Sequence, residues 1–103
     1  MMSNIEIIAK ETDIPVGEKK RFVVQGNNIL VVHCEDGYFA VDDTCTHEES
    51  SLSEGYLEGC EIECALHGAR FDVKSGEVRA LPAVMPLKTY KAFVESGEIK
   101  IEL

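Results

Sequence analysis

The chain has no tryptophan and no apolar stretch near the ~18 residues that a membrane-spanning helix needs, which excludes a helical membrane protein. Its first residues, MMSNIEIIAKETD, lack the basic segment and the apolar core of a secretory leader, so a cytoplasmic location without membrane contact is expected. Lys and Arg are missing from the whole interval between Arg21 and Arg70, which leaves no basic stripe there to follow a phosphate backbone. Nucleic acid is therefore set aside as a partner. No segment holds a helical period, and there is no repeat, low-complexity tract or linker. One domain over residues 1–103 is expected, as a monomer, large enough to bury roughly two thirds of the surface its unfolded chain exposes.

The interval without basic residues holds ten acids: Glu35, Asp36, Asp42, Asp43, Glu48, Glu49, Glu54, Glu58, Glu61 and Glu63. A solvated acidic surface is the plain reading of such a run. Because the run brackets most of the cysteines and histidines, it also reads as a face for a basic partner protein.

Short runs rich in Val, Ile, Phe and Tyr alternate with turn signals, the pattern of an antiparallel all-β domain. Strands are expected at 5–9, 20–25, 29–35, 38–42, 60–64, 69–73, 77–81, 87–95 and 98–103. Turns are expected at Gly26-Asn27-Asn28, Asp36-Gly37, Ser75-Gly76 and Ser96-Gly97. In the last strand Ile99, Ile101 and Leu103 point one way and Lys100 and Glu102 the other. The segment from Asp43 to Gly59 reads as one long irregular loop, and loops of that length in a small domain usually carry function. A shorter loop follows at Ala65–Gly68, and a third, with two prolines, at Leu81–Pro86.

Four cysteines in a reducing compartment read as metal ligands or free thiols rather than a disulfide framework. Cys45-Thr46-His47 and Cys64-Ala65-Leu66-His67 form C-x-H and C-x-x-H, 16 residues apart. Each half brings one thiolate and one imidazole from a loop, a donor set that suits tetrahedral zinc or a [2Fe-2S] cluster with mixed ligation. Zinc modules usually pair Cys with Cys and His with His, so the alternating order favours the second. Cys60 shares a strand face with Ile62 and Cys64 and reads as an inward-pointing small hydrophobe. His33 and Cys34, adjacent in a strand, face opposite ways and cannot meet at one ion.

With CTH, SLSEGYLEG, ECALHGARFDVKSGEV and LPAVMPLKTY in order along nearly its whole length, the chain resembles the Rieske-type [2Fe-2S] ferredoxins of bacterial aromatic-ring-hydroxylating dioxygenase systems. The resemblance implies a Rieske-like antiparallel β sandwich with a small cluster-binding subdomain, about residues 43–82, formed by two loops. It implies one [2Fe-2S] cluster per chain, with Cys45 and Cys64 on the inner iron and His47 and His67 on the outer one. Tyr56 and Phe71 would shield the sulfides, and N–H groups near Gly68 would donate to sulfur. Pro82 and Pro86 would stiffen the third loop.

The implied role is a one-electron carrier between an NAD(P)H-dependent ferredoxin reductase and the Rieske domain of a terminal oxygenase, not an enzyme in itself. A 2-His-1-carboxylate iron site would need two further histidines, and only His33 is left. An electron-transfer subunit of another reductive enzyme, such as nitrite reductase, and a structural zinc module remain as alternatives. Two ferric ions, two sulfides and two thiolates sum to zero charge, so a mixed-ligand cluster takes an electron more easily than a four-cysteine one, at about −150 to +300 mV against about −400 mV. Rieske proteins of respiratory complexes carry a disulfide between two extra loop cysteines. Ser50 and Leu66 stand at those positions here, which points to the low-potential group. Glu48 stands where such ferredoxins commonly have Gly, from which a lowered potential and an altered docking edge are expected.

Overall fold

The computed structural model describes residues 4–46, 50–66, 68–81 and 85–103. Its strands are β1 (Ile5–Lys10), β2 (Lys19–Val24), β3 (Asn27–Cys34), β4 (Gly37–Asp42), β5 (Tyr56–Glu58), β6 (Glu61–Glu63), β7 (Arg70–Asp72), β8 (Val78–Ala80), β9 (Thr89–Glu95) and β10 (Glu98–Glu102). Two single 3-10 turns occupy Glu11–Asp13 and Leu52–Glu54, and among the described residues no helix is long and apolar enough to cross a membrane.

All strand pairings are antiparallel, in a six-stranded sheet ordered β1-β10-β9-β4-β3-β2 and a four-stranded sheet ordered β5-β6-β7-β8. The larger sheet curls until its two edges approach, where the Asn4 amide donates to Gln25 Oε1 at 2.9 Å. A strand apolar at four successive positions, Ile29-Leu30-Val31-Val32, needs cover on both faces, and β3 has it. Ile29 and Val31 pack inside the curl with Ile14, Ala40, Ile99 and Ile101. Leu30, Val32 and Cys34 face the smaller sheet and meet Ile62, Phe71 and Val73 together with Cys45 and Cys64. The second of these cores is the floor on which the candidate site stands.

The turns follow the expected punctuation with shifts of one residue. Gln25 and Gly26, at φ +50° and +81°, make the β2–β3 hairpin, and Ser96 and Gly97, at +54° and +77°, the β9–β10 hairpin. Two positive φ values in a two-residue turn match the right-handed twist of the flanking strands. Asn27 and Asn28, expected in the first of these turns, open β3 instead.

The segment 43–59 is less irregular than its composition suggests. It contains the turn Leu52–Glu54 and strand β5, whose three residues are too few to display a period of two. Two glycines there and beyond are required by close approach: a Cβ on Gly55 would overlap the Glu63 carbonyl oxygen, and one on Gly76, at φ +79°, the Leu87 carbonyl oxygen.

Candidate metal centre

Both ligand-bearing loops are closed by the same device. The Cys45 N–H donates to the Ser50 carbonyl at 2.9 Å, and the Cys64 N–H to the Ala69 carbonyl at 2.7 Å, so each cysteine sits at a neck five residues wide. Both necks rest on the cluster-side core, which leaves Cys45 and Cys64 buried and unbridged while Leu66, farther along the second loop, is 46% exposed. His47 and His67 fall within these two loops by their place in the chain and lie outside the described residues, as do Glu48 and Pro82.

A third loop abuts the first, with the Thr46 hydroxyl donating to the Met85 carbonyl at 2.7 Å. Pro86 is exposed on that loop.

The two thiols are close enough to affect each other. Burial pushes the Cys64 thiol above its ordinary range. The Leu66 N–H pulls it back, the neighbouring Cys45 thiol raises it again, and the Ser50 hydroxyl lowers it. Two neighbouring buried sulfurs cannot both become thiolates unless cations stand beside them. The donor set therefore fits an iron–sulfur centre. Ser50 and Leu66, at the positions of the respiratory branch's extra cysteines, both stand near enough to Cys64 to favour its thiolate.

The sequence reading missed Asp43. It is 2% exposed and holds the base of the first loop. Its carboxylate accepts from the Ser53 N–H at 2.9 Å and the Ser51 hydroxyl at 2.5 Å, with the Arg21 guanidinium 3.4 Å away. Its backbone carbonyl accepts from Leu52 N–H at 2.6 Å. An acid followed by S-x-S across a loop is the signal that could have found it. Asp43→Ala strands the Ser53 N–H and the Ser51 hydroxyl, and a cost of about 1–3 kcal/mol is expected in denaturant unfolding.

The acidic run is less uniform than its sequence suggests. Glu58, Glu61 and Glu63 surround Arg70, with Glu63 at 2.9 Å, and Asp36 pairs with Lys74 at 2.8 Å. Asp42 accepts from the Tyr90 hydroxyl at 2.6 Å, and burial and this carboxylate raise the Tyr90 pKa. Farther along the small sheet, burial works against Asp72 ionising, but the Arg79 guanidinium at 2.8 Å and the Lys74 N–H hold its carboxyl below the usual range. Much of the acid thus builds the small sheet, leaving Glu35 and Glu54 among the exposed carboxylates.

Three further expectations meet the structure. Phe71 is fully buried beside Cys45 and Cys64, as expected of cover. Tyr56 is not cover: it is 65% exposed on β5. His33 and Cys34 do face opposite ways, His33 stacking on Tyr38 with centroids 3.9 Å apart and donating from Nδ1 to the Ile14 carbonyl at 2.7 Å.

Cys34 and Cys60, expected as a packed residue and a small hydrophobe, are joined in a disulfide. The reading that four cysteines form no disulfide is thereby corrected. The reason is tertiary, since packing of the small sheet on β3 brings two residues 26 positions apart to a Cα–Cα distance of 5.4 Å, within disulfide range.

Residues 4–91 match the Rieske [2Fe-2S] domain family. The chain belongs to that family. The cofactor is accordingly a Rieske-type [2Fe-2S] cluster, and the zinc alternative is set aside. Along the sequence this Rieske chain is 41% identical over 96 residues to the ferredoxin component of biphenyl 2,3-dioxygenase from Rhodococcus jostii (strain RHA1), covering 93% of this chain and 90% of that one. In structure it is similar to the ferredoxin of carbazole 1,9a-dioxygenase from Nocardioides aromaticivorans IC177, with a TM-score of 0.91, 35% identity, and coverage of 96% of this chain and 97% of that one. A ferredoxin solved in the complex of reduced oxygenase and oxidised ferredoxin of carbazole 1,9a-dioxygenase superimposes equally well, at a TM-score of 0.91 and 33% identity over 95% of this chain and 92% of that one. This Rieske chain is of the ferredoxin type, an electron carrier rather than a catalytic component.

Proposed function

We propose that this ferredoxin receives single electrons from an NAD(P)H-dependent ferredoxin reductase and delivers them to the Rieske centre of the terminal oxygenase in an aromatic-ring dioxygenase system. Cys45 and Cys64 would hold one iron of the cluster, and His47 and His67 the other. The observation that carries the reading is the pair of buried, unbridged thiols at the necks of two loops, each with a histidine two or three residues on. When bound, the cluster would supply a one-electron couple, and the two loops would set what reaches it.

Leu66, Leu81 and Met85 are 46%, 76% and 63% exposed, and they belong to the second and third loops. They give the tip an apolar contact surface on a strongly acidic molecule, suited to a partner with an apolar patch rimmed by basic residues. A carrier that must leave each partner quickly works through a small contact and electrostatic steering, so transfer rates fall as salt rises. Glu48 lowers the potential and alters this docking edge relative to ferredoxins with Gly there.

Ser50 tunes the couple through Cys64. A hydrogen bond to sulfur is stronger when the centre carries an extra electron, so it favours the reduced form. Ser50→Ala, losing about 1 kcal/mol of that preference, is expected to lower the midpoint potential by about 40 mV in a redox titration. An unchanged potential removes Ser50 from the tuning groups.

The functional test is reconstitution with a purified ferredoxin reductase and the terminal oxygenase of an aromatic-ring dioxygenase system. Hydroxylated product should form in proportion to NAD(P)H consumed, only when the ferredoxin is present, and more slowly at high salt. Support for nitrite reduction without support for any oxygenase would move the assignment to the other reductive system.

A further inference from the structure

The Cys34–Cys60 disulfide has no part in cluster binding, and its place in the fold points to a separate chemistry. Cys34 ends β3, the strand between the two cores, and Cys60 lies in the turn between β5 and β6. The bond is therefore a covalent strap from the large sheet to the sheet that carries Cys64. The same junction is held by the ion pair of Lys74 with Asp36, in the β3–β4 turn, at 2.8 Å.

The two sulfurs differ in access. Cys34 is 2% exposed, whereas Cys60 is partly exposed and lines an open surface groove with Glu35, Asp36, Glu58, Glu61, Asp72 and Lys74. Five carboxylates and the Lys74 ammonium line the approach, and although Lys74 pairs with Asp36, Arg70 with Glu58 and Glu61, and Arg79 with Asp72, the carboxylates outnumber these three cations. The Asp36 carboxylate is 3.9 Å from Cys60 Sγ. Thiol–disulfide exchange proceeds by attack of a thiolate, an anion, on one sulfur. Here attack is confined to Cys60, and the local field opposes anions arriving there.

We propose that Cys34–Cys60 is a charge-selective thiol–disulfide exchange site whose substrate is a dithiol of zwitterionic or cationic character, and that its opening loosens the small sheet on the large one. One thiolate of the dithiol attacks Cys60 Sγ, the Cys34–Cys60 bond breaks, and Cys34 leaves as a thiolate and takes a proton. The second thiolate then attacks the mixed disulfide, releasing Cys60, which also takes a proton, while the dithiol closes to its own disulfide. Two electrons and two protons pass to the protein and the reductant is oxidised by the same amount. Anionic thiols such as glutathione, whose thiolate carries a net charge of about −2 at neutral pH, are slowed by the net negative rim.

The test uses the purified holoprotein. Acid unfolding and alkylation without reductant should label Cys45 and Cys64 alone, with Cys34 and Cys60 recovered as one linked peptide. Cysteamine, whose thiolate is a net-neutral zwitterion, and glutathione are then compared by the rate at which the mixed disulfide forms on Cys60 and Cys34 becomes alkylatable after acid quenching and unfolding, each corrected for its thiolate fraction. At low salt cysteamine should be faster by about tenfold or more, and the gap should close as salt is raised.

Opening by dithiothreitol, and separately Cys60→Ser, should lower the thermal midpoint by about 10 °C while the visible absorbance of the cluster persists. Labelling of all four cysteines without reductant, equal rates for the two thiols at low salt, or an unmoved midpoint in the reduced wild-type protein would each overturn the proposal.

Discussion

Cys64→Ala is expected to yield a colourless protein without iron, whereas Cys60→Ala keeps both its colour and its iron. The four cysteines fall into two pairs with opposite fates, and distance in the fold rather than in the chain decides the pairing. Cys60 is four residues from Cys64, yet it turns away to join Cys34. Cys64 is fully buried at the neck of its loop, in one cluster with Cys45, and the nearby Leu66 N–H and Ser50 hydroxyl favour negative charge on its sulfur. Removing that sulfur deletes one of two thiolates, and the remaining imidazoles and one thiolate do not balance the charge of two ferric ions and two sulfides. Iron analysis and visible absorbance of the two variants, purified side by side, check this. A brown Cys64→Ala or a colourless Cys60→Ala would break the assignment.

The largest effect on stability is expected from Phe71→Ala, at about 3–5 kcal/mol in denaturant unfolding. Phe71 is the largest of the fully buried side chains and packs with Ile62, Val73, Leu30 and Val32, the residues through which the small sheet sits on β3. Truncation leaves a cavity directly behind the two cysteine necks, and few neighbours can collapse into it, because most are strand residues fixed by their pairings. Phe71→Leu, which keeps most of the volume, should cost roughly a third of that or less. Because a small domain has only about 5–15 kcal/mol of total stability, the alanine variant should also lose its cluster faster on warming. An alanine variant within about 1 kcal/mol of the parent would show that Phe71 is not the floor of the site.

What could be read in the sequence was what depends on local pattern. Nine of the strands announced themselves through alternation or, in β3, through an unbroken apolar run, and the C-x-H and C-x-x-H spacing marked the loops. What could not be read depends on how the sheets pack. Cys34 and Cys60 each looked like packing residues, because period-two reasoning says which face a side chain takes but not what lies across from it. Asp43 looked like one acid in a run of ten, and only its burial against Ser51, Ser53 and Arg21 separates it from the solvated ones. Tyr56 was read as cover from its neighbourhood in sequence, but β5 is an edge strand and the ring points outward. Ser50 influences Cys64 because the neck at Cys45 lies beside the neck of the next loop, a closeness that the chain order does not show.

The claim at the centre of this account is that two thiolates and two imidazoles hold the cluster, with the imidazoles on the iron that takes the electron. Pulsed electron paramagnetic resonance of the dithionite-reduced protein, grown with 15N-labelled histidine, measures this directly. Two distinct, strongly coupled 15N nuclei are expected, both lost when His47 and His67 are replaced. A reduced protein with a paramagnetic signal but fewer than two coupled histidine nitrogens would contradict it.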